Sequence, residues 1–168
     1  MSLAASLLPE FDQEMATTRR YLERLPADHL DFRPHERNST LQKLATHLAY
    51  LPTWVAVTVD RDHIDLASPE AQMSHEPLKS AADAVARFDA HVAEARARLS
   101  GADDARLLGP WSLQQGGAVV LTLPRIACLR SFVMNHLVHH RAQLGVYYRM
   151  CGVPVPATYG PSADEPGM

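Results

Sequence analysis

The longest helical pattern of the chain covers residues 124–152 and reads PRIACLRSFVMNHLVHHRAQLGVYYRMCG. Pro124 suits the first turn of a helix, and Gly152 followed by Pro154 suits its end. The apolar residues recur every three or four positions, which is the spacing of one helix face: Ile126, Leu129, Phe132, Val133, Leu137, Leu144, Tyr147 and Cys151. The segment therefore predicts one long helix whose apolar face has to be buried against other helices.

Three further segments have the same periodicity. The first covers Leu3–Leu25. The second starts after an N-cap at Ser39 or Thr40, and we expect a kink or an early end at Pro52 because proline has no N–H to donate. The third covers residues 80–101 and opens with a capping-box pattern. Four amphipathic helices that share one core predict a helical bundle.

The segments between the helices complete the predicted architecture. Residues 60–77 are charged, contain two prolines and predict a long loop. The pair Gly116–Gly117, between WSLQQ and AVVLTL, predicts a short hairpin. We therefore expect an all-α, up-and-down-type four-helix bundle with a long loop between helices 2 and 3 and a hairpin before helix 4. Residues 1–157 form the single domain, and residues 158–168 form an extended or disordered tail.

Composition excludes several classes of protein. The chain has 168 residues, of which 46% are hydrophobic and 21% charged, as in one globular domain. A net charge of −3 provides no basic field for nucleic acid, and no segment reaches the about 20 apolar residues of a membrane span. Cys128 and Cys151 form no disulfide framework, and we expect buried, inert thiols. We therefore expect a cytoplasmic protein with neither nucleic acid nor membrane as a partner.

Nine histidines are the unusual feature of the composition. His136 and His140 are four residues apart on the long helix, and both project from its apolar face. Unpaired imidazole nitrogens in such a core cost about 1–3 kcal/mol, so a shared metal ion is one interpretation and hydrogen-bonded core histidines are the other. His47 borders the apolar stripe of the second helix and can reach the same core. Three neutral imidazoles would form an open ligand set for zinc, nickel or ferrous iron.

The residues around these histidines give weaker signals. Leu137 occupies the position of the glutamate in HExxH zinc enzymes, so the general base of that class is missing. Gln143 and Tyr147 lie on the histidine-bearing face and are candidates for catalytic roles, with core packing as an equal alternative. Arg141 projects away from that face, and we expect it to pair with a carboxylate on another helix. His139 is expected at the rim of the core. Five histidines in polar contexts are expected at the surface: His29, His35, His63, His75 and His91.

Two stretches of the chain resemble the DinB/YfiT-like superfamily of small four-helix-bundle proteins. Residues 135–160, NHLVHHRAQLGVYYRMCGVPVPATYG, are similar to its C-terminal signature: a histidine, three residues, His-Arg-Gly-Gln-Leu, an aromatic-rich turn and a Gly-x-Pro tail. Residues 32–49, FRPHERNSTLQKLATHLA, are similar to the approach to its second helix. Alanine stands at position 142, where the family has glycine. The resemblance implies that His47, His136 and His140 are metal ligands.

The resemblance also carries expectations about activity. Members of that superfamily include thiol S-transferases that use bacillithiol or mycothiol, a mycothiol-dependent maleylpyruvate isomerase, and proteins described only as metal-dependent hydrolases. It therefore favours an enzyme with one divalent metal ion and a low-molecular-weight thiol as cofactors. We expect a metal-dependent thiol S-transferase that acts on a small molecule. The alternatives are a metal-dependent hydrolase and a non-catalytic metal-binding stress-response protein. Relatives are often homodimers, so a homodimer is also implied.

Overall fold

The computed structural model describes residues 2–71 and 75–166, and 59% of the chain is helical. The α-helices are α1 Leu3–Leu22, α2 Leu41–Tyr50, α3 Trp54–Asp60, α4 Ala81–Gly101, α5 Asp104–Leu108, α6 Arg125–Cys128 and α7 His136–Met150. A π-helical segment, Leu129–Asn135, joins α6 to α7, and single 3₁₀ turns lie at Ala27–His29 and Leu51–Thr53. The strands are β1 His63–Asp65, β2 Pro110–Gln115 and β3 Ala118–Pro124. None of the helices in the described part of the chain has the length and apolar character that a membrane span requires.

Helix ends follow the local signals of the sequence. The Thr40 hydroxyl accepts a hydrogen bond from the amide of Lys43 at 3.2 Å, and the Ser80 hydroxyl accepts one from Asp83 at 3.1 Å. Both contacts satisfy amides that the first turn of a helix leaves unpaired. At Pro52 the second predicted helix is divided into α2 and α3 by a 3₁₀ turn, which confirms the expected break.

The predicted fourth helix is continuous from Arg125 to Met150, since α6, the π-helical segment and α7 follow one another without a gap. It ends at Gly152, whose φ of +71° belongs to the left-handed region that glycine adopts without strain. The π-helical turn was not predicted. Such turns occur mostly as local insertions within α-helices, often at functional sites, and this one ends at the residue before His136.

A small sheet corrects the all-α prediction. The hairpin of β2 and β3 was predicted, and it turns at Gly116 and Gly117, whose φ values are +60° and +80°. The unpredicted strand is β1, which pairs in parallel with β2 from within the segment expected to be a loop. A strand of three residues is too short to show an alternating pattern of apolar and polar residues in the sequence. The Asp65 side chain fixes β1 by accepting hydrogen bonds from the amides of Gly116 at 2.9 Å and Gly117 at 2.7 Å.

The order of the helices around the core also differs from the prediction. Helices α1 and α2 each pack against both α4 and α7. The order around the bundle is therefore α1, α4, α2, α7, and the simple up-and-down order, in which helices adjacent in sequence are adjacent in space, is wrong. The fully buried side chains include Phe11, Leu22, Leu41, Leu48, Phe88, Leu99, Leu107 and Trp111. The consequence for the site is that α2 and α7 face each other.

The C-terminal segment, expected to be an extended or disordered tail, contains no helix or strand up to residue 166. It lies against α1 and α7. Glu165 pairs with Arg20 and Arg24 of α1, and Asp164 pairs with Arg149 of α7. These ion pairs tie the segment to the bundle.

Candidate metal centre

The three histidines singled out in the sequence lie together between α2 and α7. His47 is on α2, His136 is the first residue of α7, and His140 is one turn further along α7. The Nε2 atom of His136 lies 3.3 Å from Nε2 of His47 and 2.8 Å from Nε2 of His140. One nitrogen of each ring lies within 4.8 Å of the corresponding nitrogens of the other two. The packing of α2 on α7 therefore converges three Nε2 atoms on one point.

This convergence fits a metal ion. A tetrahedral or octahedral ion that binds imidazole nitrogens at about 2.1 Å sets those nitrogens about 2.9–3.4 Å apart. The two separations at His136, 3.3 and 2.8 Å, are close to that range. Neutral imidazole nitrogens are ligands for zinc, nickel and ferrous iron. The donor set therefore matches the expectation from the sequence.

Hydrogen bonds on the opposite side of two rings select the tautomer that a metal requires. His136 Nδ1 donates to the carbonyl oxygen of Phe132 at 3.3 Å, and His140 Nδ1 donates to Oε1 of Gln143 at 2.7 Å. Because each oxygen accepts a hydrogen bond from Nδ1–H, the proton of each neutral ring stays on Nδ1 and both Nε2 atoms carry a lone pair. Two lone pairs 2.8 Å apart repel each other unless a cation lies between them. Such outer contacts are typical of metal-binding histidines.

Burial keeps these imidazoles neutral. It is the main cause that lowers the pKa of His47, His136 and His140 below the ordinary value. The effect is largest at His47, whose pKa falls to about 4, with positive charge on His140 and His136 as the next causes. At pH 7 all three rings are therefore neutral, which is the form that binds a metal ion.

An apolar pocket of about 120 Å³ opens onto two of the histidines. Its lining consists of His47, Trp54, Leu66, Leu113, Phe132 and His136. No carboxylate is among these lining residues, which all belong to the described part of the chain. The pocket therefore offers a small, largely water-excluding space beside the Nε2 atoms.

Comparison with known proteins agrees with this fold. The model of the DinB family matches residues 1–167. The chain belongs to the DinB family. A DinB-like protein from Bacillus subtilis has the same fold, with a TM-score of 0.69 and 20% identity over 90% of this chain and 96% of that chain. A DinB-like protein from Bacillus cereus gives a TM-score of 0.66 and 21% identity over 91% and 95% of the two chains. No curated protein matches the sequence.

The two candidates for catalytic roles lie in different surroundings in this DinB-family protein. Gln143 contacts His140 directly, as described above. Tyr147 is buried two turns further along α7, about 10 Å along the helix axis from His140. Its hydroxyl donates to the carbonyl of Ser39 at 3.2 Å, and its ring meets the edge of Phe32. Gln143 is therefore placed to orient a ligand, whereas Tyr147 packs the core and joins α7 to the start of α2.

The expected partner of Arg141 is Glu14 on α1. Its guanidinium donates to Oε2 of Glu14 at 2.7 Å, to the Thr18 hydroxyl at 3.1 Å and to the Tyr159 hydroxyl at 2.8 Å. Both charged side chains are buried. The residue that follows His140 is thereby fixed to α1 and to the C-terminal segment.

The remaining histidines divide between surface and core. His139 is exposed, with its ring edge-on to that of His140 at 4.9 Å. His91, expected at the surface, is half-buried, and its Nδ1 donates to the carbonyl of Ala49 at 2.8 Å. The sequence contained a signal for this burial, because His91 lies three residues after Phe88 and four before Ala95, both of which are buried.

The expectation of a buried thiol is met at Cys128 and only in part at Cys151. Cys128 is buried and Cys151 is half-buried, and neither forms a disulfide. Burial raises the pKa of both thiols, which disfavours the reactive thiolate. A cysteine nucleophile therefore has no support from its surroundings.

Proposed function

We propose that this DinB-family protein binds one divalent metal ion through His47, His136 and His140 and catalyses thiol S-transfer to a small molecule. The observation that carries the metal proposal is the 2.8 Å separation of the Nε2 atoms of His136 and His140, in two rings whose Nδ1 atoms each face a carbonyl-type oxygen. Three protein nitrogens leave coordination positions open, as in catalytic sites. When bound, the ion would supply Lewis acidity, which stabilises a thiolate or lowers the pKa of water.

The residues around the centre favour transfer over hydrolysis. Hydrolysis by a metal ion usually employs a carboxylate as general base, and no carboxylate lines the described pocket. Leu137 also occupies the position that bears glutamate in HExxH enzymes. The apolar walls formed by Trp54 and Phe132 suit a thioether-forming reaction, which consumes no water.

The proposed reaction balances without a further reactant. The sulfur of the thiol forms a bond to an electrophilic carbon of the substrate, and the leaving group departs with its bonding electron pair. The thiol proton passes to water. In this step the protein holds the two imidazoles of α7 in one tautomer through Phe132 and Gln143, and the apolar pocket holds the carbon centre beside His47 and His136.

Metal analysis tests the first half of the proposal. Tag-free protein is stripped with a chelator, incubated with zinc, nickel or ferrous iron, desalted and analysed for bound metal. We expect about one ion per chain, and loss of that ion in His140→Ala. His139→Ala is the matched control, since it removes an imidazole from the neighbouring exposed position and should keep the ion. Equal loss in both variants, or no ion in the wild type, would refute the metal site.

Thiol screening tests the second half. Metal-loaded protein is mixed with bacillithiol or mycothiol and a chromogenic alkyl or aryl halide, and thioether formation is followed. We expect acceleration in the wild type and in His139→Ala but not in His140→Ala. Acceleration of ester hydrolysis without any thioether formation would refute transfer and favour a hydrolase. The homodimer implied by the resemblance and the cytoplasmic location expected from the composition stay predictions, and light scattering tests the first of them.

A further inference from the structure

A second pocket adjoins the histidine cluster on α2. It has a volume of about 350 Å³ and is lined by Lys43, Thr46, His47, His75 and Pro77. Among its lining residues only His47 also lines the apolar pocket. The imidazole of His47 therefore stands between two cavities of different character, one apolar and one that contains a lysine.

The charge in this pocket is not neutralised by the protein. The chain contains two lysines, Lys43 and Lys79. Lys79 pairs with Glu76 at 2.8 Å, whereas among the described residues no carboxylate forms such a pair with Lys43. No acidic residue lines the pocket either. Lys43 thus presents an ammonium group with capacity for an external anion.

The walls of this pocket are held in place by contacts behind them. The Thr46 hydroxyl donates to the carbonyl of Gln42 at 2.8 Å and accepts from the amide of Leu78 at 3.2 Å. The His75 ring is stacked on Tyr50, with centroids 3.8 Å apart and planes 10° apart. The pocket is therefore formed before a ligand arrives, which lowers the entropic cost of binding.

We propose that this pocket binds the carboxylate of a small organic acid through Lys43, with His75 as a hydrogen-bonding wall. The inference rests on the proposed function in one respect, namely that the acid belongs to the molecule that reacts at the histidines. Lys43 is one helical turn before His47, so the Cβ atoms of the two residues are about 6 Å apart and one small molecule can reach both side chains. This separation fits a short dicarboxylate or a short acidic thiol.

The test is a binding measurement on metal-free, isotope-labelled protein, so its outcome does not depend on the metal proposal. Succinate is the probe and neutral succinamide is the matched compound, and amide shifts are followed by NMR. We expect saturable shifts at residues 43–47 with succinate only. Lys43→Met should weaken succinate binding roughly fivefold. Lys79→Met also removes one positive charge, but away from the pocket, and should change the affinity less than twofold.

Three results would overturn the subsite. These are shifts of equal size with succinamide, equal weakening in the two lysine variants, and succinate shifts that lie away from residues 43–47. Tighter binding of inorganic phosphate than of succinate at Lys43 would overturn the assignment to a carboxylate. Lys43 is exposed, and an unchanged spectrum of the variant in the absence of ligand verifies that it is folded.

Discussion

Two arginine–carboxylate pairs join α1 to the long C-terminal helix, and they differ in burial. Arg141 and Glu14 have side chains that are 2% and 9% exposed, whereas Arg130 and Glu10 are 51% and 40% exposed. Both pairs are well formed, at 2.7 Å and 2.8 Å. We predict that replacing the arginine by methionine destabilises the protein strongly at position 141 and weakly at position 130.

The expected loss of stability follows from the groups that lose a hydrogen-bond donor when Arg141 is replaced. Its removal takes away donors from the Glu14 carboxylate, the Glu14 carbonyl and the Thr18 hydroxyl. Breaking a buried pair costs about 3–5 kcal/mol. The Tyr159 hydroxyl still donates to Glu14 at 2.8 Å, so we expect the lower end, about 3 kcal/mol. For a chain of this size that corresponds to a fall in Tm of about 6–12 °C.

The assay is equilibrium unfolding in urea, with thermal unfolding in parallel. Arg130→Met should cost less than about 1 kcal/mol, because water and the carboxylate of Glu10 compete for an exposed guanidinium. The double variant Glu14→Gln, Arg141→Met should be less destabilised than the sum of the single variants by at least about 1 kcal/mol, since it removes both buried charges. Equal costs for the two arginine variants, or full additivity in the double variant, would refute the reasoning.

Three further predictions concern the site and the thiols. Gln143→Leu removes the acceptor of His140 and should lower the metal affinity about 10–100-fold in a competition with a chromogenic chelator; unchanged affinity would contradict the tautomer argument. In metal-free protein, the pKa of His47 of about 4 lies below its ordinary 6.5, so only the unfolded chain takes up this proton in that interval. The contribution of His47 to the free energy of unfolding is therefore complete above about pH 6.5 and is lost as the pH falls toward 4. His47→Gln should flatten that part of the urea-unfolding profile, and an equally steep profile would count against it. Iodoacetamide at pH 8 should label half-buried Cys151 well before Cys128, as read by mass spectrometry; equal rates would disprove the burial argument.

The helices and the histidine cluster were predictable because they depend on local spacing. An apolar residue every three or four positions and a hydroxyl before the first turn define a helix without reference to the rest of the chain. The same geometry places His136 and His140 on one face, as the structure confirms with a 2.8 Å separation of their Nε2 atoms. His47 could be added to this pair from the sequence only on the assumption that α2 and α7 are neighbours.

The order of the helices was not predictable, because it depends on which apolar faces fit together rather than on any single segment. The stripes of α1 and α2 are both compatible with several neighbours, and the sequence contains no local signal that places α4 between them. Strand β1 was missed for a related reason. Its position is fixed by Asp65, whose carboxylate binds two amides about 50 residues later in the hairpin turn.

The regular and irregular parts of this fold have different roles at the candidate centre. The regular helices α2 and α7 set the separations of the three imidazoles. The four apolar pocket walls all come from interruptions of the bundle. Trp54 follows the 3₁₀ turn at Pro52, Leu66 follows β1, Leu113 stands at the irregular register of β2, and Phe132 lies in the π-helical segment.

Departures from ideal geometry persist where function requires them, because they cost stability and need a compensating reason to be kept. Here the four interruptions meet at one cavity of about 120 Å³ beside His47 and His136. The π-helical segment contributes twice, since Phe132 supplies both a pocket wall and the carbonyl that accepts a hydrogen bond from Nδ1 of His136. If this segment were a regular α-helix, the side chain and the carbonyl of Phe132 would have different positions relative to the histidines. The interruptions that make this protein depart from a plain helical bundle therefore build the pocket beside the histidines, which the regular helices α2 and α7 hold.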